Sequence, residues 1–562
     1  MLRSFIIIII SFLFYEGFSC TNILVTKSAS AEGTPMISYN ADSHVLYGEL
    51  YHWPAATYAE GTMLDIYEWD TGKFLGKIKQ ASQTFNVVGN MNEYQVAIGE
   101  TTYGGREELY VQPGAIMDYG SLIYVALQRS KTAREAIKII AELMEEYGYA
   151  SEGESFSIMD KNEVWIMEMI GKGKAEKGAV WVAMMVPDGY ICAHANHARI
   201  TQFPRKYKDG AISSKDMNKI FDPKVNVIYS DDVISFARKS GYFSGEEKDF
   251  SFSDVYAPLD FGAARFCEAR VWSIFNHVSS EMSKYESYAM GYDLTNRMPL
   301  FIKPEKKISL KDMISYMGDH YEGTKMDFRK DVGAGPYESP YRWRPMTWKV
   351  DSVGYFHERS VSTQQTGFTF IAQSREKYPD PIGGIIWFGV DDAYFTVFNP
   401  MFCGITEVPL NYRQGYGSMI EFNPNAAFWV FNQVSNFAYT RYNAIAPLVK
   451  EHQMMLTDKF LKELDPITET AAKIYTTDPK LAIEFITNYS NNEGENTVKY
   501  WQKLYGFLFS KFVDGNVKKT EGMKLLDNGN GKNIPPSPSQ PGYNETLLRE
   551  IIQQTGERYK AK

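Results

Sequence analysis

Cys20 opens the stretch CTNILVTKSASAEGTPMISYNADSH, which reads as two short strands around a turn. Ile23, Leu24 and Val25 favour the first strand and Met36 and Ile37 the second, while Ser28 to Pro35 is rich in turn residues. Folding about Ala31 pairs the neighbourhood of Cys20 with Asp42. A thiol attacks only as its thiolate, so it needs a base. If Cys20 is the first residue of a processed chain, its own α-amine, with a reference pKa of about 8, is a base within one residue of the sulfur. Asp42 would then orient and support that amine, completing a set of nucleophile, base and orienter. The plainer account of Asp42 is a polar cap on the hairpin's end.

The segment before Cys20 supports processing. Met1, Leu2 and Arg3 make a short basic start, and Phe5 to Phe14 form an apolar block of about ten residues, the length of a signal-peptide core. That block is too short to span a bilayer. Gly17 and Ser19 are small residues at the −3 and −1 positions of a cut that would expose Cys20. Residues 1–19 are thus expected to be a signal peptide and the mature protein to be exported, periplasmic or extracellular. Two other readings of the cysteine stay open. A lipoprotein signal would consume both sulfur and amine and anchor the chain at a surface, but Gly17 stands where such signals carry an aliphatic residue. Four cysteines could also form two bridges, yet Cys192, Cys267 and Cys403 sit in apolar surroundings without clustered spacing, so no bridge to Cys20 is expected.

The elements that must hold the pair in place follow. Phe85 to Gly89 and Gln95 to Gly99 read as strands around an Asn90-Met91-Asn92-Glu93 turn, ending at Glu100-Thr101-Thr102. A helix starts at Thr132, which has capping-box spacing to Glu135 and sets Ala136, Ile139, Ile140 and Leu143 on one face. SFSIMD, EVWIMEMI, AVWVAMMV and GYICAHAN then read as successive strands of one meander that ends at Asn196. Acyl transfer needs a donor aimed at the developing oxyanion, and an Asn side chain can supply it.

The hairpin, the ANHARI stretch around Asn196 and FGAARFCEARVWSIFN, which contains Arg265 and Arg270, together resemble the PepD-type dipeptidases. These are a cysteine family of N-terminal-nucleophile hydrolases related to choloylglycine hydrolases and penicillin acylases. The similarity runs from Cys20 to about Tyr412 and includes KDMISYMGDHYEGTKMD, the HERSVSTQQTGFTF block and GITEVPLNY. The resemblance implies an α+β fold, a four-layer αββα sandwich whose central strand begins at the nucleophile. It implies catalytic roles for Cys20, Asp42, Asn196 and Arg270, the last tethering the region of Cys20 and Asp42. Tyr39, Asn40, Thr102 and Glu100 are the candidate contacts to substrate or oxyanion. Related choloylglycine hydrolases carry the pattern Arg-Asn-x-Asp, whereas this chain has Tyr39-Asn40-Ala41-Asp42. Loss of that cation should raise the thiol's pKa unless Arg270 or another base supplies the charge. The Tyr39 phenol could bond to substrate or amine, or simply pack, and Arg265 could equally be one half of a surface ion pair.

Other chemistry is set aside. The chain has no GxSxG elbow, so Asp319-His320 and Glu358-Arg359-Ser360 are not read as parts of a serine triad. His194-x-x-His197 lacks the helix and third ligand of a zinc signature, and no metal or cofactor is expected. The net charge of −9 argues against a nucleic-acid partner. After the leader no run of about 18 apolar residues offers membrane insertion. The expected organisation is a catalytic domain over 20–425, a helical extension over 426–531 packed on it, and a Pro/Ser linker with a short helix over 532–562. The expected reaction is hydrolysis of small peptides, dipeptides above all, through a thioester on Cys20. The alternatives are another small amide, such as an N-acyl amino acid, a bile-salt-like conjugate or a β-lactam, and a lipidated, non-catalytic surface binding protein.

Overall fold

The structure, a computed structural model, describes residues 20–341 and 346–562. The leader expected over residues 1–19 lies outside the described residues. Mixed α+β architecture is evident in two large sheets with helices packed against them. The seven-stranded sheet runs Phe301–Ile302, Ile191–His194, Asn22–Val25, Met36–Asp42, Thr366–Ser374, Gly384–Val390 and Asn399–Phe402, with every pairing antiparallel. The nine-stranded sheet is centred on Ala97–Tyr103, Gly153–Met159, Val164–Gly171 and Ala179–Met185. The central strands of both sheets are buried along almost their whole length, which is why they read as continuous β-branched and aromatic runs rather than as clean alternation.

The sheets pack face to face, with Met36–Asp42 against Ala97–Tyr103 and Gly153–Met159. Gly99 permits the approach: a Cβ there would stand 2.7 Å from Asn22 Nδ2 and 3.4 Å from Tyr39 Cβ. Helices Tyr119–Leu127 and Ala133–Tyr147 cover the outer side of the nine-stranded sheet. The second begins as its sequence predicts, the Thr132 side chain accepting from the Glu135 N–H at 3.2 Å, and it buries Ala136, Ile140 and Leu143. Helices Ala269–Val278, Leu310–Met317, Ala427–Tyr439, Tyr442–Tyr475 and Pro479–Phe512 pack on or beside the seven-stranded sheet. The last three share one hydrophobic core with the strand after Cys20, Trp501 stacking on Phe431 at 5.2 Å. No helix among the described residues is long and apolar enough to cross a membrane.

Two expectations change. Leu24 pairs with Ile37 and Thr21 with Asn40, so Cys20 falls opposite Ala41 and Asp42 lies one residue beyond. The turn centres between Ser30 and Ala31 because the Ala29 and Ser30 N–H groups both donate to the Thr26 carbonyl and tighten the loop by one residue. The four strands before Asn196 are also not one meander. The first three are successive neighbours, but the outer edge of the third is taken by Val227–Tyr229. The chain turns at Gly189 (φ +85°), whose N–H donates to Thr26 Oγ1 at 2.9 Å, and Ile191–His194 crosses to pair with Asn22–Val25. Asn196 is thereby delivered to the nucleophile's own sheet.

Candidate active site

The strand that follows Cys20 and the strand that precedes Asn196 are direct neighbours, with Asn22 opposite His194. Asn196 sits just past its strand in the left-handed region (φ +58°), a conformation Asn tolerates better than most residues. Arg270 ties the two ends together. It is fully buried, and its guanidinium donates to the Cys20 carbonyl at 2.7 Å, Thr21 Oγ1 at 2.9 Å, the Ala195 carbonyl at 3.3 Å and Asn196 Oδ1 at 2.9 Å. The Asn196 amide in turn donates to the Thr102 carbonyl. Arg270 thus fixes the oxygen of this amide and Thr102 its nitrogen. Arg270 follows a single π turn, Ala264–Glu268, in which Cys267 Sγ reaches the Asn196 carbonyl at 3.3 Å.

Asp42 is 1% exposed. Its Oδ1 accepts from Thr366 Oγ1 at 2.6 Å, and its Oδ2 lies 3.7 Å from Arg359 Nη2. Burial raises its pKa from 3.8 to about 6, against the pull of Arg359, Thr366 and Arg270. The thiol of Cys20 lies 3.6 Å from both the Tyr39 hydroxyl and Glu100 Oε1. Burial pushes that thiol well above the ordinary cysteine range, and the charges of Glu100 and then Asp42 push it further. Tyr39 donates to Glu100, so this corner carries a phenol and a carboxylate rather than a fixed cation.

Behind Glu100 stands Glu154, which accepts from Thr102 Oγ1 at 3.1 Å. Glu100 and Glu154 are 1% and 0% exposed. Burial raises both; the charge of Glu100 lifts Glu154 well above the usual carboxylate range, while a hydrogen bond with Glu154 holds Glu100 back. Beyond Tyr39 opens a narrow slot of about 20 Å³ walled by Tyr51, Trp53, Trp69, Tyr119, Tyr124 and Phe368.

Cys20, Tyr39, Asp42, Glu100, Thr102, Asn196 and Arg270 thus come together. Asn40 faces away, its amide donating to the Met317 and Val361 carbonyls and its oxygen accepting from Thr369. Arg265 makes a buried ion pair with Glu358 at 2.6 Å. His194 is held between Thr101 Oγ1 and Ser157 Oγ, each at 2.7 Å, and no cluster able to hold a metal occurs among the described residues. Arg359, Thr366 and Glu154 were not legible as site residues. Arg359 stands out only within Glu358-Arg359-Ser360, which is set aside as a serine triad, and Thr366 and Glu154 carry no mark of their own; the fold brings all three to the site.

A buried thiol among a carboxylate, a guanidinium clamp and a side-chain amide has the groups that a cysteine-type peptidase needs, and the sequence model of "Peptidase family C69" matches residues 19–454. The chain belongs to that family. Among curated proteins it is 23% identical over 461 residues to a "Probable dipeptidase" of Latilactobacillus sakei, covering 78% of this chain and 85% of that one. It is 23% identical over 504 residues to "Probable dipeptidase B" of Lactococcus lactis subsp. lactis (strain IL1403), covering 87% and 94%. A "Probable dipeptidase" of Salmonella dublin is 24% identical over 410 residues, covering 69% and 81%.

Proposed function

We propose that the protein is an exported dipeptidase that works through a thioester on Cys20. The observation that carries this is the Arg270 clamp, which fixes the Cys20 carbonyl and the Asn196 side chain in one assembly. Its relatives' names support the substrate class, and the helix, sheet, sheet, helix packing supports an αββα sandwich of the N-terminal-nucleophile kind. Release of residues 1–19 frees the Cys20 amine, which takes the thiol proton. Sγ bonds to the scissile carbonyl carbon, and the Asn196 amide is the donor to the oxyanion. The C–N bond breaks as the α-ammonium returns its proton to the leaving amine. Water then gives a proton to the α-amine and attacks the thioester, and the acid leaves with the thiol restored.

Mass spectrometry of the mature chain tests the first step, the expected N-terminus being an unmodified Cys20; a lipidated one refutes this reading. Cys20→Ala is expected to abolish release of amino acids from unblocked dipeptides while preserving the melting temperature, and retained turnover overturns the mechanism. A chain left one residue longer before Cys20 is expected to be inactive, because its nitrogen is then an amide and accepts no proton.

A further inference from the structure

We propose that Glu100, backed by Glu154, binds the free α-ammonium of the substrate's N-terminal residue. The inference deepens the dipeptidase reading and rests on it. Three observations lead to it. First, Glu100 and Glu154 are buried, and no lysine, arginine or histidine among the described residues makes an ion pair with either. The groups acting most strongly on the pair are the two carboxyls themselves, Tyr39, Cys20, Thr102 and Glu152, and none of these has a basic side chain. A buried carboxylate without a cationic side chain beside it is costly, so this pair matches a ligand that brings positive charge.

Second, the position fits the reacting bond. In an amino acid the α-nitrogen and the carbonyl carbon are separated by two bonds, about 2.5 Å. A carbonyl carbon poised for attack stands about 3 to 3.5 Å from the sulfur. Glu100 Oε1, 3.6 Å from Sγ, lies within reach of the nitrogen attached one carbon away from that carbonyl. A longer spacing would suit an internal peptide bond, which has no ammonium there. Third, the wall next to the pair is aromatic and its further charges are acidic. Tyr39 joins Glu100 to the aromatic slot, and on the slot's other side Tyr119 donates to Asp70 at 2.6 Å. Ring faces beside carboxylates favour an ammonium group over a neutral amide.

Recognition is then coupled to activation. The charge of Glu100 opposes ionisation of the thiol in the empty site, and an ammonium seated on Glu100 offsets that charge at the moment the carbonyl arrives. An N-acylated substrate would bury a neutral amide against the carboxylate and leave the thiol protonated.

The test uses the mature full-length chain, with L-alaninol as an ammonium probe lacking a scissile bond and N-acetyl-L-alaninol as its neutral counterpart. Calorimetric binding in the Cys20→Ala background and kinetics on Ala-Ala and N-acetyl-Ala-Ala in the active enzyme are compared across Glu100→Gln, Glu100→Asp and Glu154→Gln. Loss of a charged hydrogen-bond partner is expected to weaken alaninol binding and raise KM for Ala-Ala by roughly 10- to 100-fold in Glu100→Gln, with kcat falling less. Glu100→Asp is expected to keep the preference for the ammonium probe, and Glu154→Gln to weaken it less than Glu100→Gln does. Equal alaninol affinity in the parent and Glu100→Gln overturns the inference, as does a fall in kcat with KM unchanged, which would make Glu100 a base. If Glu100→Gln does not fold, unchanged alaninol binding in both other variants overturns it. Failure of the parent enzyme to cleave any dipeptide would instead refute the dipeptidase reading, and the binding comparison separates the two.

Discussion

Opposed influences meet at Asp42. Burial favours its neutral form, while Arg359, Thr366 and Arg270 favour the carboxylate, leaving a pKa of about 6. Release of the Cys20 amine adds a cation on the same side and pulls that value down. If ionised Asp42 supports the amine, kcat/KM is expected to fall on the acid side with an apparent pKa at or below about 6, read from a pH profile of the mature enzyme. In Asp42→Asn that limb should disappear, and the rate should drop by roughly 10²- to 10⁴-fold. Stability should move the other way. Because the folded pKa lies above the unfolded value of 3.8, the stability linked to Asp42 is fully present below 3.8 and is lost as pH rises through about 6. Asp42→Asn at pH 7 is therefore expected to leave the melting temperature unchanged or raised, which distinguishes a chemical role from a structural one.

One polar chain links the two sheets. The Asn22 side-chain amide meets Ser157 Oγ at 3.0 Å, Ser157 Oγ meets His194 Nε2, and His194 Nδ1 meets Thr101 Oγ1, so the chain passes three times between the sheets. Burial lowers the His194 pKa from 6.5 to about 3, which keeps the ring neutral. His194→Ala is expected to cost about 2 to 4 kcal/mol at pH 7 through lost hydrogen bonds and a cavity. The unfolded chain binds the imidazole proton from about pH 6.5 downward and the folded chain does not, so wild-type stability carries a penalty that grows with acid. The gap in melting temperature between wild type and variant should accordingly narrow from pH 7 to pH 4, and a gap independent of pH would refute a buried neutral ring. This network was hidden from the sequence, although its members lie in segments that were read as strands. The Cys20 hairpin was legible because both strands and the turn lie within 25 residues and carry their own turn chemistry. Its register slipped by one because two carbonyl-sharing N–H groups at Ala29 and Ser30 leave no compositional mark. Strand Ile191–His194 looked like its predecessors because a buried strand reads alike in either sheet; which sheet it joins is set by the edge that Val227–Tyr229 occupies.

Across the molecule, the helices between residues 427 and 512 pack into the core that includes Cys20. Arg375, on the connection after the long central strand, donates to Thr468 Oγ1 at 3.0 Å, and Ser490 Oγ donates to the Pro400 carbonyl at 3.1 Å. The helical extension is thus expected to melt together with the sheets in one calorimetric transition, whereas two separated transitions would make it an independent domain. Trp501→Ala, which empties a fully buried site against Phe431, should lower that single transition by about 3 to 5 kcal/mol without changing KM. The π turn before Arg270 has a different kind of consequence. In a regular α-helix Arg265 and Arg270 would point about 140° apart, while an i to i+5 turn sets them nearly one above the other. That one extra residue is a phase setting for the helix. Insertions elsewhere on the surface leave the site alone, but removal of a single residue between Arg265 and Arg270 would rotate one arginine off its partner, Glu358 for the first or the Cys20 carbonyl for the second. The spacing between these two arginines must therefore stay as it is for both contacts to be kept.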